Sequence, residues 1–240
     1  KALQENEVVV MSIFVNPTQF NNAEDLEKYP RTLERDVEKI ATISNKIIVF
    51  APSVDDIYEG NTVSESFDYD GLEHQMEGKH RPGHFDGVGT VVKRFFEIIQ
   101  PTHSYFGEKD FQQLQIIKKL VQKYKIPVNV IGCPIHREKN GLAMSSRNER
   151  LSETERKEAA LIFKTLTASK KMFGTKTANE VSNFVKKTFE NHPKFSLEYF
   201  QIADEATLKP CLRKSKNKKY RAFIAVFVNN IRLIDTISLN

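Results

Sequence analysis

The stretch Ser104–Gln113, SYFGEKDFQQ, joins an apolar run to a polar turn, and the rest of the chain is organised around it. Its apolar beginning is typical of a short buried strand. The following residues, Gln115–Val121, repeat apolar side chains at helical spacing. Asp110 with Gln113 three residues later has the form of a capping box, which predicts that a helix begins there. The stretch therefore predicts a strand, a glycine turn and a helix N-terminus in succession.

This arrangement indicates a binding site. In open α/β sheets, ligands bind beyond the carboxyl ends of the strands, where helix N-termini favour anions. Lys109 and the carboxamides of Gln112 and Gln113 follow the predicted strand directly. They indicate a phosphate-bearing substrate and a second, polar one. The alternative is that Asp110 only caps the helix and Lys109 is solvated.

The composition is ordinary for a globular protein. The 240 residues are 40% hydrophobic and 28% charged, enough for one large domain or for a medium and a small one. A net charge of +5 suits anionic metabolites and does not require a nucleic-acid partner. Two cysteines, Cys133 and Cys211, are too few for a disulfide framework, which favours a reducing, cytoplasmic location. No apolar run is long enough to span a bilayer.

The first half of the chain alternates predicted strands and helices. Val8–Val15, VVVMSIFV, is typical of a parallel strand covered on both faces. Further strands are predicted at Lys46–Phe50 and Val128–Ile131, with a shorter one near Ser64–Tyr69, and helical segments lie between. This order predicts a parallel sheet with right-handed crossovers, a Rossmann-like α/β domain over residues 1–133.

The second half has a different pattern. Capping-box pairs at Ser152 with Glu155 and at Thr177 with Glu180 each predict the start of a helix. Three antiparallel strands are predicted after them, the last two joined by a turn at Asn229-Asn230: Ser196–Ala203, Arg221–Val228 and Arg232–Ile237. Residues 134–240 are therefore predicted to form a small α+β domain.

Two polar clusters lie at predicted strand or helix ends. Asn16 and Gln19 follow the first strand, and a carboxamide there can hold a carboxylate, a hydroxyl or an amine. Asn16-Pro17 is also a plain turn signal. Arg81 and His84 lead into a predicted helix, which favours anion capture or helix entry. Pro82 excludes a helical metal pair of His80 and His84.

A third cluster is the loop Met144-Ser145-Ser146-Arg147. Its hydroxyls and backbone N–H groups can wrap phosphate oxygens, and Arg147 supplies a forked donor. Loops of this composition also occur as plain turns. The chain has no P-loop and no nucleophile elbow, and Gly87-Val88-Gly89 is a fragment of a dinucleotide fingerprint without a preceding strand.

Together these segments resemble the pantothenate synthetase (pantoate–β-alanine ligase) family, in family order and across nearly the whole chain. The matching segments are SIFVNPTQF (Ser12–Phe20), YPRT (Tyr29–Thr32), EGKHRPGHFDG (Glu77–Gly87), FGEKDFQQL (Phe106–Leu114), GLAMSSRN (Gly141–Asn148) and RLID (Arg232–Asp235).

The resemblance implies a Rossmann-like nucleotidyltransferase domain and a smaller C-terminal domain that closes over the site as a lid. It implies an AMP-forming ligase that uses ATP and Mg²⁺ to condense (R)-pantoate with β-alanine. Pantoyl adenylate forms first, with release of pyrophosphate, and aminolysis then gives pantothenate and AMP. It also implies a homodimer, with neither a nucleic-acid partner nor a membrane. The protein ligands of Mg²⁺ are not assigned.

The resemblance also implies residue roles. Gln19 and Gln113 match the residues that hold pantoate, and Gln19 also faces β-alanine. Lys109 and Arg147 match catalytic positions. The ATP-binding positions are Gly107, Glu108, Lys109, Asp110, His136 (through its backbone), Met144, Ser145, Ser146 and Arg147. Asn16, Tyr29, Arg81 and His84 match positions that line the pocket.

One family motif has no counterpart in this chain. The family carries H-x-G-H after its first strand, with histidines that bind ATP phosphates and serve catalysis, and no such pattern occurs here. Because Lys1–Asn6 reads like the end of a helix, we expect the chain to begin partway into the fold. A polypeptide with no further residues is expected to fold poorly and to adenylate weakly.

Three rival functions remain at the level of sequence. One is another adenylyl- or cytidylyltransferring enzyme of the same superfold, against which Gln19 and Gln113 argue. The second is a nucleic-acid-binding module that uses the basic run Lys209–Arg221, although that run has one interleaved aromatic residue, Tyr220, and favours a solvated loop. The third is a non-catalytic remnant.

Overall fold

The computed structural model describes residues 1–190 and 192–240, which form two lobes of mixed α/β structure. Its strands are β1 (Val9–Ser12), β2 (Ile47–Phe50), β3 (His103–Gly107), β4 (Asn129–Cys133), β5 (Phe195–Asp204), β6 (Tyr220–Val228) and β7 (Ile231–Ser238). Its helices are α1 (Ala2–Glu5), α2 (Ala23–Glu27), α3 (Leu33–Ile43), α4 (Val54–Tyr58), α5 (Met76–His80), α6 (His84–Ile99), α7 (Phe111–Lys123), α8 (Glu153–Glu158), α9 (Ala160–Phe173) and α10 (Ala178–Glu190).

The strands of the first lobe are parallel, as predicted, but they form two pairs. β1 lies beside β2, and β3 lies beside β4. Within the described residues, no strand hydrogen bonds join one pair to the other. The prediction that Val8–Val15 is covered on both faces is wrong, because Val8 is 67% and Met11 is 41% exposed. The physical reason is that no packed layer covers these two side chains, whereas a strand buried in a parallel sheet is covered on both faces.

The predicted strand at Ser64–Tyr69 is also wrong. Its backbone is held by side chains of α6, since Glu65 N donates to Thr90 Oγ1 (2.8 Å) and Phe67 N donates to Asp86 Oδ1 (3.1 Å). These bonds satisfy the groups that a strand ladder would use. Upstream, between β2 and this segment, α4 begins at a capping box formed by Ser53 and Asp56.

Glu108–Asp110 forms a 3-10 turn between β3 and α7, and the helix begins at Phe111. The predicted capping box is wrong, since the Asp110 side chain accepts no bond from the first turn of α7. The strand–turn–helix succession itself is confirmed. It places the polar residues at the carboxyl end of β3.

The second lobe has the predicted helices and strands. The capping boxes at Ser152 and Thr177 are present. The predicted helix that follows Ser152 is divided at Ala159 into α8 and α9. β5, β6 and β7 form an antiparallel sheet in that order, and Asn229 in the hairpin turn takes the left-handed conformation at φ 52°.

The described residues form two hydrophobic cores, one mainly in each lobe. The first is formed mainly by α4 to α7 and the segments between them, and it includes Leu208 and Phe223 of the second lobe. The second fills the space between α9, α10 and the antiparallel sheet. Because side chains of the second lobe belong to the first core, the lobes are packed against each other at one end. The basic stretch from Leu212 to Lys219 is exposed on the surface.

No helix in the described part of the chain is both long enough and apolar enough to cross a membrane.

Candidate active site

A cleft with a cavity of about 430 Å³ lies between the two lobes. Lys109 and Asp110 line it from the 3-10 turn after β3, and Arg81 lines it from the end of α5. Ser145 and Arg147 contribute from the second lobe. Cationic groups from distant parts of the chain therefore face one cleft, which carboxylates such as Asp25 and Asp235 also line, and the cations suit an anionic ligand.

A smaller cavity of about 30 Å³ adjoins the first one. Arg81, Lys109 and Asp110 line both cavities, whereas Gln113 and His84 line the small one. α7 positions Gln113 one turn beyond Lys109, so a charged group and a carboxamide point into neighbouring spaces. Lys109 therefore lines both cavities, with Arg147 beside it in the larger one and Gln113 in the smaller one.

Gln19 lies next to this site but lines neither of the two cavities. Its carbonyl oxygen accepts bonds from Arg81 Nη2 (3.0 Å) and His84 Nδ1 (2.8 Å). The 3-10 turn Pro17–Gln19 packs closely on α6, because a Cβ atom added at Gly87 would come within 2.6 Å of the Thr18 carbonyl oxygen. Glycine is therefore required at that contact, and it fixes the backbone of Gln19 beside the cleft.

Asn16 is buried and makes hydrogen bonds that stabilise the fold. It is 2% exposed, its Nδ2 donates to the Gly87 carbonyl oxygen (2.9 Å), and its Oδ1 accepts from Tyr58 Oη (2.5 Å). It therefore holds the end of the first strand segment against α6. This agrees with a turn role for Asn16 more than with a ligand contact.

His84 begins α6 and is held as a neutral side chain. Its pKa falls to about 4, chiefly because it is buried and also because Arg81 lies beside it. With Nδ1 donating to Gln19, Nε2 is left as an acceptor, and it lies 3.3 Å from Arg81 Nη1. The helix-entry prediction for His84 is confirmed, but a neutral ring cannot capture an anion by charge.

A cluster of ion pairs at the opening of the cleft holds Arg147. We call Asp25, Arg147 and Arg150 the rim cluster. Asp25 lies 2.7 Å from Arg147 Nη2 and 3.3 Å from Arg150 Nη1. The pKa of Asp25 is lowered because its hydrogen bond and charge contacts with Arg147 and Arg150 outweigh its partial burial. The Arg147 guanidinium also lies 5.3 Å from the centre of the Tyr29 ring.

The other predicted ATP residues surround this opening. Tyr29, Met144, Ser145 and Ser146 line a third, more open cavity of about 670 Å³, and Ser145 is shared with the main cleft. Ser146 Oγ donates to Tyr29 Oη (3.2 Å).

Three predicted ATP residues are not on these cavity walls. Gly107 is exposed at the end of β3. Glu108 accepts a bond from Arg221 Nη2 (3.2 Å). The carbonyl oxygen of His136 accepts a bond from Met144 N (3.0 Å).

A buried ion-pair network at the base of the cleft contains Arg81, which was predicted to line the pocket, and three residues to which no role was predicted. We call Glu77, Arg81, Tyr199 and Arg232 the base network. Arg232 donates to both carboxylate oxygens of Glu77 at 2.8 Å, and Tyr199 Oη donates to one of them at 2.6 Å. These bonds outweigh the opposing effect of burial and lower the pKa of Glu77 to about 2. The available signal in the sequence was the presence of charged residues in the otherwise apolar strand β7.

A second unpredicted ion pair joins Asp235 to Arg137, with distances of 2.7 and 3.0 Å. Asp235 is 4% exposed, and burial raises its pKa above the usual value in spite of this pairing. The two residues lie in the second lobe, and Asp235 reaches both cavities. This pair therefore forms part of the polar wall opposite Lys109.

The chemistry available in the cleft is electrostatic. Lys109 is a point charge, and its nearest carboxylate oxygen is that of Asp110 at 3.9 Å. Arg81 and Arg147 supply planar donors, and Gln113 supplies donors and an acceptor. Such a set can hold a phosphate chain beside a small hydroxy-acid. Among residues 1–190 and 192–240, no group of three or more His, Cys, Asp or Glu side chains could hold a metal ion.

Comparison with known proteins gives one consistent family. The family model for pantoate-beta-alanine ligase matches residues 1–238. A pantothenate synthetase of Flavobacterium psychrophilum is 70% identical over 239 residues, which cover 100% of this chain and 85% of that protein. A second, from Christiangramia forsetii, is 54% identical over 239 residues, with 100% and 84% covered.

The similar solved structures belong to the same family. A crystal structure of pantothenate synthetase from Thermus thermophilus has a TM-score of 0.91 at 38% identity, with 99% of this chain and 86% of that chain covered. A pantoate-beta-alanine ligase from Francisella tularensis, solved with beta-gamma ATP and beta-alanine, has a TM-score of 0.77 at 34% identity, with 99% and 82% covered.

Proposed function

The chain belongs to the pantoate–β-alanine ligase family, and from that premise we propose how its inter-lobe cleft performs the family reaction. The reaction is the ATP-dependent ligation of pantoate and β-alanine to pantothenate. We propose that (R)-pantoate is adenylated first, when its carboxylate oxygen bonds to the α-phosphorus of ATP and pyrophosphate leaves. The amine of β-alanine then attacks the acyl carbon, AMP leaves, and the nitrogen loses a proton.

The observation that carries this proposal is the shared cleft, where Lys109 and Arg147 face one cavity from two lobes and Gln113 faces the adjoining one. Adenylation brings a carboxylate to a triphosphate, so the protein must offset the repulsion of two anions. Lys109 is proposed to lie on the phosphates and to stabilise the charge that develops on pyrophosphate. Arg147, released from Asp25, is proposed to supply a forked donor to the same phosphate chain.

The carboxamides are proposed to hold the acid substrate. Gln113 faces the small cavity, and the backbone of Gln19 is fixed within 3.0 Å of Arg81. Two amide side chains that satisfy the hydroxyl and carboxylate oxygens of pantoate would reject analogues that lack them. Gln19 is further proposed to face the incoming β-alanine. Holding the acyl adenylate beside the amine is a proximity effect that also limits hydrolysis.

The remaining ATP contacts are proposed along the opening of the cleft. Ser145 and Ser146, with Met144 and the backbone of His136, would hold the nucleotide, while Gly107, Glu108 and Asp110 would hold it from the β3 side. Tyr29 would line the same opening.

Asp110 is the residue best suited to a magnesium ion. Asp25 and Asp235 are each held by an arginine at 2.7 Å, whereas the nearest cation to Asp110, Lys109, lies at 3.9 Å. Mg²⁺ typically takes one or two protein carboxylates and completes its shell with substrate phosphates and water. We propose that Asp110 is such a ligand, and that the bound ion neutralises charge on the triphosphate.

We further propose the domain division at residues 1–133 and 134–240, with the second domain serving as a lid. The two hydrophobic cores and the cleft between the lobes support it. We also propose that the protein is a homodimer located in the cytoplasm. The family resemblance supports the dimer, and the low cysteine content supports the location.

One experiment tests the proposed function. The full-length protein is incubated with ATP, Mg²⁺, pantoate and β-alanine, and the release of AMP and pyrophosphate is followed. The expected result is one AMP and one pyrophosphate per pantothenate, and AMP release that depends on both organic substrates. Release of ADP, or AMP formation that does not require pantoate, would contradict the proposal.

A further inference from the structure

The base network joins the two lobes through one buried carboxylate. Glu77 lies on α5 of the first lobe and is 8% exposed. Arg232 and Tyr199, which lie on β7 and β5 of the second lobe, donate to it at 2.6–2.8 Å. A carboxylate that receives three such bonds in a buried position is held in one orientation. The network therefore fixes where the second lobe meets α5.

The same carboxylate faces Arg81, one turn further along α5. Glu77 Oε2 lies 3.6 Å from Arg81 Nη1. Among the described residues 1–190 and 192–240, Glu77 carries the one carboxylate within 4.0 Å of the Arg81 guanidinium. The Glu77 carboxylate thus lies between the guanidinium groups of Arg81 and Arg232. Without its charge, two buried guanidinium groups would face each other with less compensation.

Arg81 in turn holds the backbone of Gln19. Its Nη2 donates to the Gln19 carbonyl oxygen at 3.0 Å, and its Nη1 lies 3.3 Å from His84 Nε2. His84 donates to the same carbonyl at 2.8 Å. Arg81 is therefore one of two side chains that anchor the Gln19 carbonyl, in addition to the packing of the Pro17–Gln19 turn on Gly87.

The backbone of Glu77 has its own anchor, independent of the ion pairs. Glu77 N donates to Gln112 Oε1 (2.9 Å), and Gln112 Nε2 donates to the carbonyl oxygens of Leu72 and Gln75 (2.8 Å each). Gln112 is 3% exposed. A change confined to the Glu77 carboxylate can therefore leave the start of α5 in place. This makes its charge separable from its backbone role.

We infer that Glu77 is a positioning residue for the acid-substrate side of the site, which acts by holding Arg81 against the Gln19 carbonyl while Arg232 ties it to the second lobe. This rests on the proposed function, because it takes Gln19 as a pantoate contact. Glu77 touches no substrate in this account. Its charge sets the geometry of two residues that do line or flank the cavity.

The test compares Glu77→Gln with Glu198→Gln in the full-length protein. Both carboxylates contact Arg232, and Glu198 Oε2 does so at 2.5 Å, but Glu198 has no contact with Arg81. Glu77→Gln is expected to raise the KM for pantoate about 10-fold, because Arg81 loses the carboxylate that holds it beside Gln19, and to change the KM for ATP less than about 3-fold. Glu198→Gln is expected to keep both KM values within about 3-fold of the parent.

Several results would overturn the inference. An unchanged pantoate KM in Glu77→Gln would do so, because the Glu77 charge would then have no positioning role. Equal rises for pantoate and ATP, or the same pantoate effect in Glu198→Gln, would also overturn it, because each points to a general structural role. If Glu77→Gln does not fold, Glu77→Asp is used for the same test, because this variant keeps the negative charge but places it farther from the Arg81 guanidinium. It is expected to raise the pantoate KM selectively, and an unchanged value would refute the inference.

The proposed function can fail separately from this inference. If the parent protein releases no AMP in the presence of all substrates, the proposed function fails. If the parent is active and Glu77→Gln uses pantoate normally, the inference alone fails.

Discussion

The base network and the rim cluster join the same two lobes with the same kinds of side chain, yet their surroundings differ. At the base, the side chains of Glu77 and Arg232 are 11% and 20% exposed, and the carboxylate is fully hydrogen-bonded. At the rim, the side chains of Asp25 and Arg147 are 28% and 24% exposed, and the contact lies at the mouth of the cleft.

This difference separates a fixed contact from an exchangeable one. A buried ion pair that loses one partner leaves an uncompensated charge, whereas a more exposed pair loses little because water and salt replace the partner. The base network is therefore suited to set geometry. The rim cluster is suited to release Arg147 when a phosphate chain arrives.

The largest expected effect is on stability at the base. Arg232→Gln leaves the buried Glu77 charge without its main partner, so we expect the free energy of unfolding to fall by about 3–5 kcal/mol. Arg150→Gln is the matched change at the rim and should lower it by about 0–1 kcal/mol. Urea unfolding at pH 7 measures both. Equal losses of unfolding free energy in the two variants would contradict the distinction between the base network and the rim cluster.

Lys109 lies between the two regions and lines both cavities. Lys109→Ala should reduce the rate of pyrophosphate release by more than about 100-fold, because a preorganised charge on the transition state is removed. Its stability should change little, since its nearest carboxylate lies at 3.9 Å. A variant that retains near-normal adenylation would show that the cleft does not act through Lys109.

The pH dependence of stability should come from His84, which lies beside Arg81 of the base network, and not from the rim cluster. The unfolded chain protonates His84 near pH 6.5, but the folded protein holds its pKa at about 4. The free energy of unfolding should therefore fall as pH decreases through this window, by about 2 kcal/mol at pH 5.

The control for this pH effect is His84→Asn, which should remove most of the difference between unfolding curves at pH 7.5 and pH 5. Asp25 stays ionised across this window because its arginine contacts lower its pKa. Asp25→Asn should therefore keep the pH dependence of the parent. A parent protein equally stable at the two pH values would contradict the neutral assignment of His84.

A smaller effect is expected at Gln113, which faces the small cavity beside the base. Gln113→Ala should raise the KM for pantoate about 10-fold through the loss of a hydrogen bond to a charged ligand. The KM for ATP should remain close to that of the parent. Normal saturation by pantoate would count against the assigned role.

The smallest effect is expected at the rim. Asp25→Asn weakens the contact that competes for Arg147, so the KM for ATP should fall about 2- to 5-fold. Glu27→Gln is the matched control, because Glu27 is an exposed residue of the same helix, α2. Steady-state kinetics with varied ATP measures both variants. A rise in the KM for ATP in Asp25→Asn would mean that Asp25 orients Arg147 instead of competing for it.

Local patterns in the sequence predicted the elements that position the site. The β3–turn–α7 succession around Lys109 follows from neighbouring residues, as do the capping boxes at Ser152 and Thr177 and the hairpin turn at Asn229. Each depends on interactions within a few positions of the chain.

The failures have a common physical origin in contacts between distant residues. Arg232 and Glu77 are 155 positions apart, and no periodicity or spacing links them. The exposure of Val8 depends on which elements pack over this part of the chain, and the absence of a strand at Ser64–Tyr69 depends on side chains of α6. The predicted cap at Asp110 failed because its carboxylate faces the cleft instead of the helix end.

The central claim is that a carboxylate oxygen of pantoate bonds to the α-phosphorus of ATP in this cleft. It is tested most directly with pantoate labelled with ¹⁸O in its carboxylate, ATP, Mg²⁺ and β-alanine, followed by mass spectrometry of the nucleotide product. Because the bridging oxygen stays with phosphorus when the amine displaces AMP, the account predicts one ¹⁸O atom in each AMP formed. Unlabelled AMP, or label in inorganic phosphate, would contradict it.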